Sequence, residues 1–378
     1  MSDRVAVVGA GVVGCAVARE LAPDHEVIVV ERDRVAGGAT GLAAGLVTMT
    51  ASYSDLPAVA DLANGFFRAY DGTGGFRYTE RGSAELVPPD RAGEARRRVE
   101  RLAGKGVAVS FVGRETLAGR YPRIDATGVA GAVTFEEAGW VDPHALTTAL
   151  RDDAVERGAG FRTGSVVSSV RVEDGAVTGL GTDAGPVGAD TVVAAAGWRT
   201  ADLLADTLSL PVRPYRTQCV VVDPAEGAPD LPIGFRPDEG VYWRPDHDGT
   251  VLVGGWASAV EDPECASGDA DAAFRRHVAG LLPETFERMD DATVLDDWAG
   301  VDGATPDGRP VVDAPREAPE GLVVATGFHG RGVMTAPVAA RAVRSLVAGE
   351  DAPFPLSTFA LDRFESRSRE FEFVSIGS

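Results

Sequence analysis

Gly9, Gly11 and Gly14 stand at the spacing Gly-x-Gly-x-x-Gly between a short apolar run at residues 5–8 and an amphipathic stretch, after which a second apolar run ends in Glu31. Gly9 permits a tight strand-to-helix turn, Gly11 lets backbone approach a pyrophosphate, and Gly14 lets helix pack closely on strand. A diphosphate would sit on the helix N-terminus. Glu31, about 20 residues beyond the glycines, would accept ribose hydroxyls and repel a 2′-phosphate, so the ligand would end in unphosphorylated adenosine. A second glycine turn, at the far end of the chain, joins a strand ending in Ala325-Thr326-Gly327 to a loop containing Gly330 and Gly332 and then to a helix expected over 336–348, with Pro337 in its first turn. Amides gathered there would favour negative charge, which a reduced flavin develops at its N1–C2=O edge. One turn could hold the diphosphate and the other the redox ring.

The side chains that could act on a substrate lie between these turns. Tyr242 and Arg244 alternate on one expected strand and so share a face, where a tyrosine hydroxyl and an arginine fork would form a carboxylate clamp. The competing readings are an inter-strand ion pair for Arg244 and a core position for Tyr242. Arg216 is a second carboxylate candidate, or another structural arginine. His329 and Arg331 sit inside the terminal loop; His329 either faces the ring or substrate or serves the loop's structure.

Positioning these groups requires an α/β fold. Residues 52–72 read as a helix with Leu56, Val59, Ala60, Leu62, Ala63, Phe66, Phe67 and Tyr70 at helical spacing; 76–87 read as paired strands, 90–104 as a charged exposed helix, and 144–157 as a helix begun by His144. Residues 164–172 and 176–181 form a hairpin about Asp174-Gly175. Strands follow at 191–196, 218–222, 241–244 and 250–255, the last three read as consecutive antiparallel strands, then a helix near 269–289 and a strand at 322–325. The expected architecture is a Rossmann-like α/β domain assembled discontinuously from 1–50, 143–210 and 300–378, with an α+β, antiparallel-sheet substrate domain from 51–142 and 211–299.

The chain resembles the FAD-dependent amine and amino-acid oxidoreductase family that includes D-amino-acid dehydrogenases, glycine and sarcosine oxidases and dimethylglycine dehydrogenases. The resemblance covers nearly the whole length and rests on the N-terminal fingerprint, GGATGLAAGLV at 37–47, VVAAAGW at 192–198, VYWRPDHDGTVLVGG at 241–255, and WAGVDGATPDGRPVV at 298–312 followed by ATGFHGRG. It implies oxidation of an amine carbon by hydride transfer to flavin, giving an imine that hydrolyses. It also implies cofactor contacts from Gly9, Gly11, Val12, Val13, Gly14, Glu31, Arg32, Gly38, Ala39, Thr40, Gly45, Leu46, Val167, Ala196, Gly197, Trp198, Gly327, His329, Gly330, Arg331, Gly332, Val333 and Met334, and a substrate tyrosine at Tyr242. Four departures carry information. No cysteine stands near Gly300 and Val301, and Thr40, Gly41 and Leu42 replace a tethering histidine, so FAD is expected to be non-covalent. Asp302 occupies the position where several D-amino-acid dehydrogenases carry an arginine for the substrate carboxylate. The single lysine, Lys105, falls in the charged helix instead of beside the flavin, which favours a dehydrogenase with an unknown electron acceptor over an oxidase.

Composition narrows the remaining choices. The 378 residues carry 57 acidic against 36 basic side chains, a net charge of −21, which argues against a nucleic-acid partner. Such a surface suits either solubility or a salt-rich, halophilic cytoplasm, where screening removes self-repulsion. Three scattered cysteines without Cys-x-x-Cys spacing argue against disulfides and a cysteine metal site, and no apolar run reaches the roughly 20 residues of a membrane span. A cytoplasmic enzyme acting on a small amine or amino acid, with homo-oligomerisation open, is the resulting expectation. The alternatives are an FAD-dependent reductase or hydroxylase-like enzyme with an apolar tunnel, an NAD-dependent dehydrogenase, and a flavin subunit of a larger complex.

Overall fold

The structure, a computed structural model, describes residues 3–372 except 225, 228 and 229, so the outer limits of the expected cofactor segments, 1–2 and 373–378, lie outside the described residues. Strand Arg4–Val8 is the centre of a six-stranded sheet. Its parallel neighbours are Thr191–Ala194 on one side and Glu26–Val30 on the other, with Leu322–Thr326 and Gly160–Arg162 beyond them and Val311–Asp313 closing one edge antiparallel. These strands read as unbroken apolar runs because both sheet faces are covered.

Gly9 turns the chain with a φ of 102°, and a Cβ there would lie 2.6 Å from the Ala195 carbonyl oxygen; a Cβ on Gly14 would lie 1.9 Å from that of Gly9. Helix Val12–Leu21 can therefore sit directly on the strand it follows. It packs against Pro143–Glu156 and Gly332–Ala348 around a core that includes Leu21, Tyr53, Phe67, Leu146 and Phe359.

A second, eight-stranded sheet runs Thr293–Ala304, Arg213–Asp223, Val251–Ala259, Val241–Pro245, Ile233–Arg236, Ser83–Val87, Gly131–Phe135 and Val109–Gly113, antiparallel except between Ile233–Arg236 and Ser83–Val87. One face holds Leu86, Val220, Trp243 and Val251 against Phe274 and Phe286. A fully buried indole of this kind stabilises by about 3–5 kcal/mol relative to alanine. The other face looks toward the glycine-rich segment after Glu31 and the terminal loop.

The structure corrects several local expectations. Tyr78–Glu80 and Ser83–Val87 do not pair with each other: the first joins Gly139–Val141 in a small sheet and the second joins the large one. The two residues between them include no left-handed conformation, so the chain runs on, whereas Asp174 (φ 51°) and Gly175 (φ 84°) supply the two left-handed residues of the hairpin turn. The helix at 52–72 is two helices, Met49–Ser52 and Pro57–Tyr70. Lys105 lies in the exposed turn after Ala92–Ala103 and not in the helix. Asp142 caps Pro143–Glu156 by accepting from the backbone of His144 (2.7 Å) and Ala145 (3.0 Å). The strands at 213–223, 241–245 and 251–259 are antiparallel, but the third lies between the first two. Helix Gly332–Ala348 begins four residues early, so Pro337 falls in its second turn. Among the described residues no helix is long and apolar enough to cross a membrane.

Candidate active site

One continuous cavity of about 1580 Å³ separates the two sheets, larger than the roughly 300–1,000 Å³ of a pocket for one small ligand. At one end it is lined by Gly9, Gly11, Val12, Val13, Glu31 and Arg32, along its length by Gly38, Ala39, Thr40, Gly45, Leu46, Val167, Ala196, Gly197 and Trp198, and at the other end by Gly330, Arg331, Gly332, Val333, Met334 and Tyr242. Glu31 is held by backbone, accepting from Ala10 N–H (2.8 Å) and Asp33 N–H (2.9 Å). Thr40 accepts from Val12 N–H (3.2 Å), tying the glycine-rich segment to the first helix. The same segment is tied to the large sheet, where Trp298 donates to the Leu42 carbonyl (2.9 Å), and to the terminal helix, where Thr48 N–H points at Met334 Sδ (3.5 Å).

The fit of FAD to this space can be read from the backbone. The helices beginning at Val12 and Gly332 both open into the cavity, and in neither does the cap residue's own side chain satisfy the first amides. Apart from Val12 N–H, which Thr40 takes, each terminus therefore offers donors and a positive dipole end, one for a diphosphate and one for the electron-rich edge of a flavin. The close approach of Gly9 to Ala195 leaves no room for a side chain, keeping this stretch of backbone bare toward the ligand.

Five expected residues do not line the cavity. Gly14 and Gly327 serve packing: the first lies under Gly9, and a Cβ on the second would lie 2.5 Å from Thr305 Cγ2. Arg216 is corrected by strand parity. Tyr215, Thr217 and Cys219 face the cavity, which puts Arg216 on the opposite face, donating from Nε to the Ser267 carbonyl (3.0 Å), pairing with Asp271 (3.2 Å) and bonding the Asp269 carbonyl. Arg244 does share a face with Tyr242, but its guanidinium is committed to the Ala44 carbonyl (2.7 Å) and Asp246 (2.6 Å), so it holds the glycine-rich segment instead of clamping a substrate. His329 adopts a left-handed φ of 52°, is 1% exposed and packs its ring on Tyr215 at 5.4 Å, behind the cavity wall.

Tyr242 is where the resemblance implies. Its ring lies across Gly254, its register partner on the next strand, where a Cβ would come within 2.3 Å of it. Its hydroxyl is 3.8 Å from Cys219 Sγ. Burial pushes the Cys219 thiol up to about 11 and both tyrosine hydroxyls well above their usual range, so all three stay protonated near neutrality. Sequence reasoning missed Tyr215 because strand 213–223 begins five residues before its expected start, leaving Tyr215 outside any alternation; Cys219 stands inside the expected strand and reads only as one of three scattered cysteines. Asp302, the register partner of Tyr215, also lines the cavity. It accepts from Gly303 N–H (2.7 Å) and Gly330 N–H (2.8 Å), with the Tyr215 hydroxyl 3.5 Å away; burial raises its pKa above the usual carboxylate value, and these donors offset only part of that rise.

At the adenosine end, Glu264 reaches over the cavity from the loop after Val251–Ala259 and bridges Arg199 (2.7 Å) and Arg32 (3.4 Å). No local motif pointed to it, since its partners are distant in sequence.

Known proteins share this arrangement. A glycine oxidase of Geobacillus kaustophilus is 28% identical over 379 residues, covering 95% of this chain and 96% of that protein. A D-amino acid dehydrogenase of Cereibacter sphaeroides is 30% identical, covering 79% and 68%, and a 4-methylaminobutanoate oxidase (formaldehyde-forming) of Paenarthrobacter nicotinovorans is 26% identical, covering 98% and 47%. The crystal structure of glycine oxidase from Geobacillus kaustophilus superposes with a TM-score of 0.87 at 25% identity, covering 97% of this chain and all of that one. The model of the FAD dependent oxidoreductase (DAO) family matches residues 4–346, from the first strand of the fingerprint into the helix after the terminal glycine turn, and the chain therefore belongs to that family, as an FAD-dependent oxidoreductase.

Proposed function

We propose that the protein oxidises the C–N bond of a small amino acid or secondary amine as a dehydrogenase, with FAD held non-covalently. The observation that carries this reading is the facing of two walls across one cavity: the terminal loop with its helix N-terminus on one side, and Tyr215, Tyr242 and Cys219 of the large sheet on the other. FAD supplies a hydride acceptor when bound. The protein's part is to present the reacting carbon to that acceptor. Tyr215 and Tyr242, protonated and buried, orient the substrate through hydroxyls and ring faces, and the sheet and loop exclude water.

The polar wall speaks against the apolar-tunnel alternative, and membership of an FAD family sets the NAD-dependent reading aside. Non-covalent attachment is supported by the protonated state of Cys219, since the thiolate is the nucleophile. Dehydrogenase activity is supported by the single lysine, Lys105, being exposed and absent from the cavity lining. The charge of −21 with a single lysine suits a salt-rich cytoplasm, and activity should persist in molar salt.

The decisive experiment is anaerobic mixing of the yellow holoprotein with D-, L- and N-methyl amino acids and small secondary amines. Bleaching of the flavin band by at least one is expected, and failure of every member defeats the reading. Acid precipitation of the same sample should leave the yellow colour in the supernatant.

A further inference from the structure

The substrate end of the cavity carries an unusual charge. Asp302 opens onto it beside Tyr215, and its three hydrogen-bond donors, Gly303 N–H, Gly330 N–H and the Tyr215 hydroxyl, are all neutral. Among the described residues no ion pair joins Asp302 to a cation. Four of the cavity's arginines are paired elsewhere, Arg98 with Glu85 (2.5 Å), Arg91 with Glu94 (3.0 Å), and Arg32 and Arg199 with Glu264, whereas Arg331 gives one N–H to the Gly308 carbonyl (2.9 Å) and has no ion pair among the described residues.

A carboxylate in such a position gains from a cation brought in by the ligand and is repelled by a second carboxylate, in a setting where water screens neither interaction well. The ring of Tyr242, which lines the same cavity, adds a face that attracts ammonium groups. An α-amino acid binding here would bring its own carboxylate within one carbon of the reacting C–N bond, toward the charge of Asp302.

We infer that the substrate is a cationic amine with no carboxylate on the reacting carbon or its neighbour, and that Asp302 is the specificity-determining residue that receives its ammonium group and takes its proton, leaving the neutral amine that hydride release requires. The inference rests on the proposed oxidation of a C–N bond and narrows it. Burial, which makes the bare carboxylate costly, is offset when the ammonium arrives, so ligand charge and binding are coupled.

The test uses the purified holoenzyme and two matched pairs. N-methylpropylamine and N-methylalanine are compared as substrates by kcat/KM for anaerobic flavin bleaching. tert-Butylamine and pivalate, of like shape and without a hydrogen on the carbon beside the charged group, are compared as inert ligands by their perturbation of the flavin absorption bands. The expected result is at least a tenfold preference for the amine in the first pair, and tighter binding of tert-butylamine in the second. Asp302→Asn, which keeps an acceptor for Gly330 N–H and removes the charge, should narrow both preferences about tenfold. A purely structural role in pinning the loop would instead depress both members of each pair together.

Preference of the wild type for N-methylalanine and pivalate overturns the inference and makes Arg331 the carboxylate's partner, while leaving the oxidation reading intact. Preferences that Asp302→Asn does not move also overturn it. If neither amine nor amino acid bleaches the flavin, the oxidation reading fails and the inert pair still reports the charge preference. Should Asp302→Asn lose its flavin, the wild-type preferences in both pairs decide.

Discussion

The two ends of the cavity are built by different rules. At the proposed adenosine end the cavity is lined chiefly by backbone and the Glu31 carboxylate, brought together by 27 consecutive residues, 5–31, whose turn geometry requires glycine at Gly9. At the proposed substrate end the groups are side chains from three strands spread between residues 215 and 302, Tyr215, Tyr242 and Asp302, whose facing is set by sheet register. Backbone recognition tolerates almost any neighbouring side chain but no change in the glycines. Side-chain recognition tolerates backbone variation but depends on parity, since moving a strand by one residue turns its whole face over.

The sharpest way to break this comparison is Gly14→Val. With 1.9 Å between the hypothetical Cβ and the Gly9 carbonyl oxygen, the helix must leave the strand, and we expect loss of bound FAD and more than about 4 kcal/mol of stability. Flavin content and thermal unfolding measure both; a yellow, stable variant would show that the adenosine end does not depend on backbone approach.

Next in size, Arg244→Met separates the structural role of that arginine from a clamp. It leaves the buried Ala44 carbonyl without its donor and Asp246 without its partner, so a loss of about 1–3 kcal/mol is expected, seen as a lower Tm, with the charge preference among substrates unchanged. A selective rise in KM for carboxylate-bearing substrates, with Tm intact, would restore the clamp.

The smallest effect belongs to Glu264→Gln. Its ion pairs with Arg32 and Arg199 are partly exposed, and such pairs contribute about 0–1 kcal/mol. FAD should dissociate only a few-fold more readily at low salt and equally at high salt. An order-of-magnitude effect that persists in high salt would make this loop a principal clasp of the cofactor.

Much of the first end was legible because its determinants are local. The Gly-x-Gly-x-x-Gly spacing, the apolar runs and the Asp174-Gly175 turn each follow from short-range sterics, and each stands in the structure where expected. The pairing of residues 76–87 failed for the same kind of reason: whether Arg81-Gly82 reverses the chain depends on φ values that its sequence leaves open. Arg216 and Arg244 failed for another. Both are polar residues on strands flanking the site, and residue type alone does not say which face of a strand meets a ligand or which carbonyl claims a guanidinium first.

By itself, then, the sequence determined the bare glycine turns, the acidic end of the second strand, and the presence of two helix N-termini suited to an anionic cofactor, because these depend on which residues permit which backbone conformations. Only the tertiary structure decided that the two turns open into one cavity, that Tyr215 joins Tyr242 on its wall, that His329, Arg216 and Arg244 stand outside it, and that Asp302 faces it with no ion pair among the described residues. Those outcomes depend on strand start, register and competition among hydrogen-bond partners across hundreds of residues, and no local pattern encodes them.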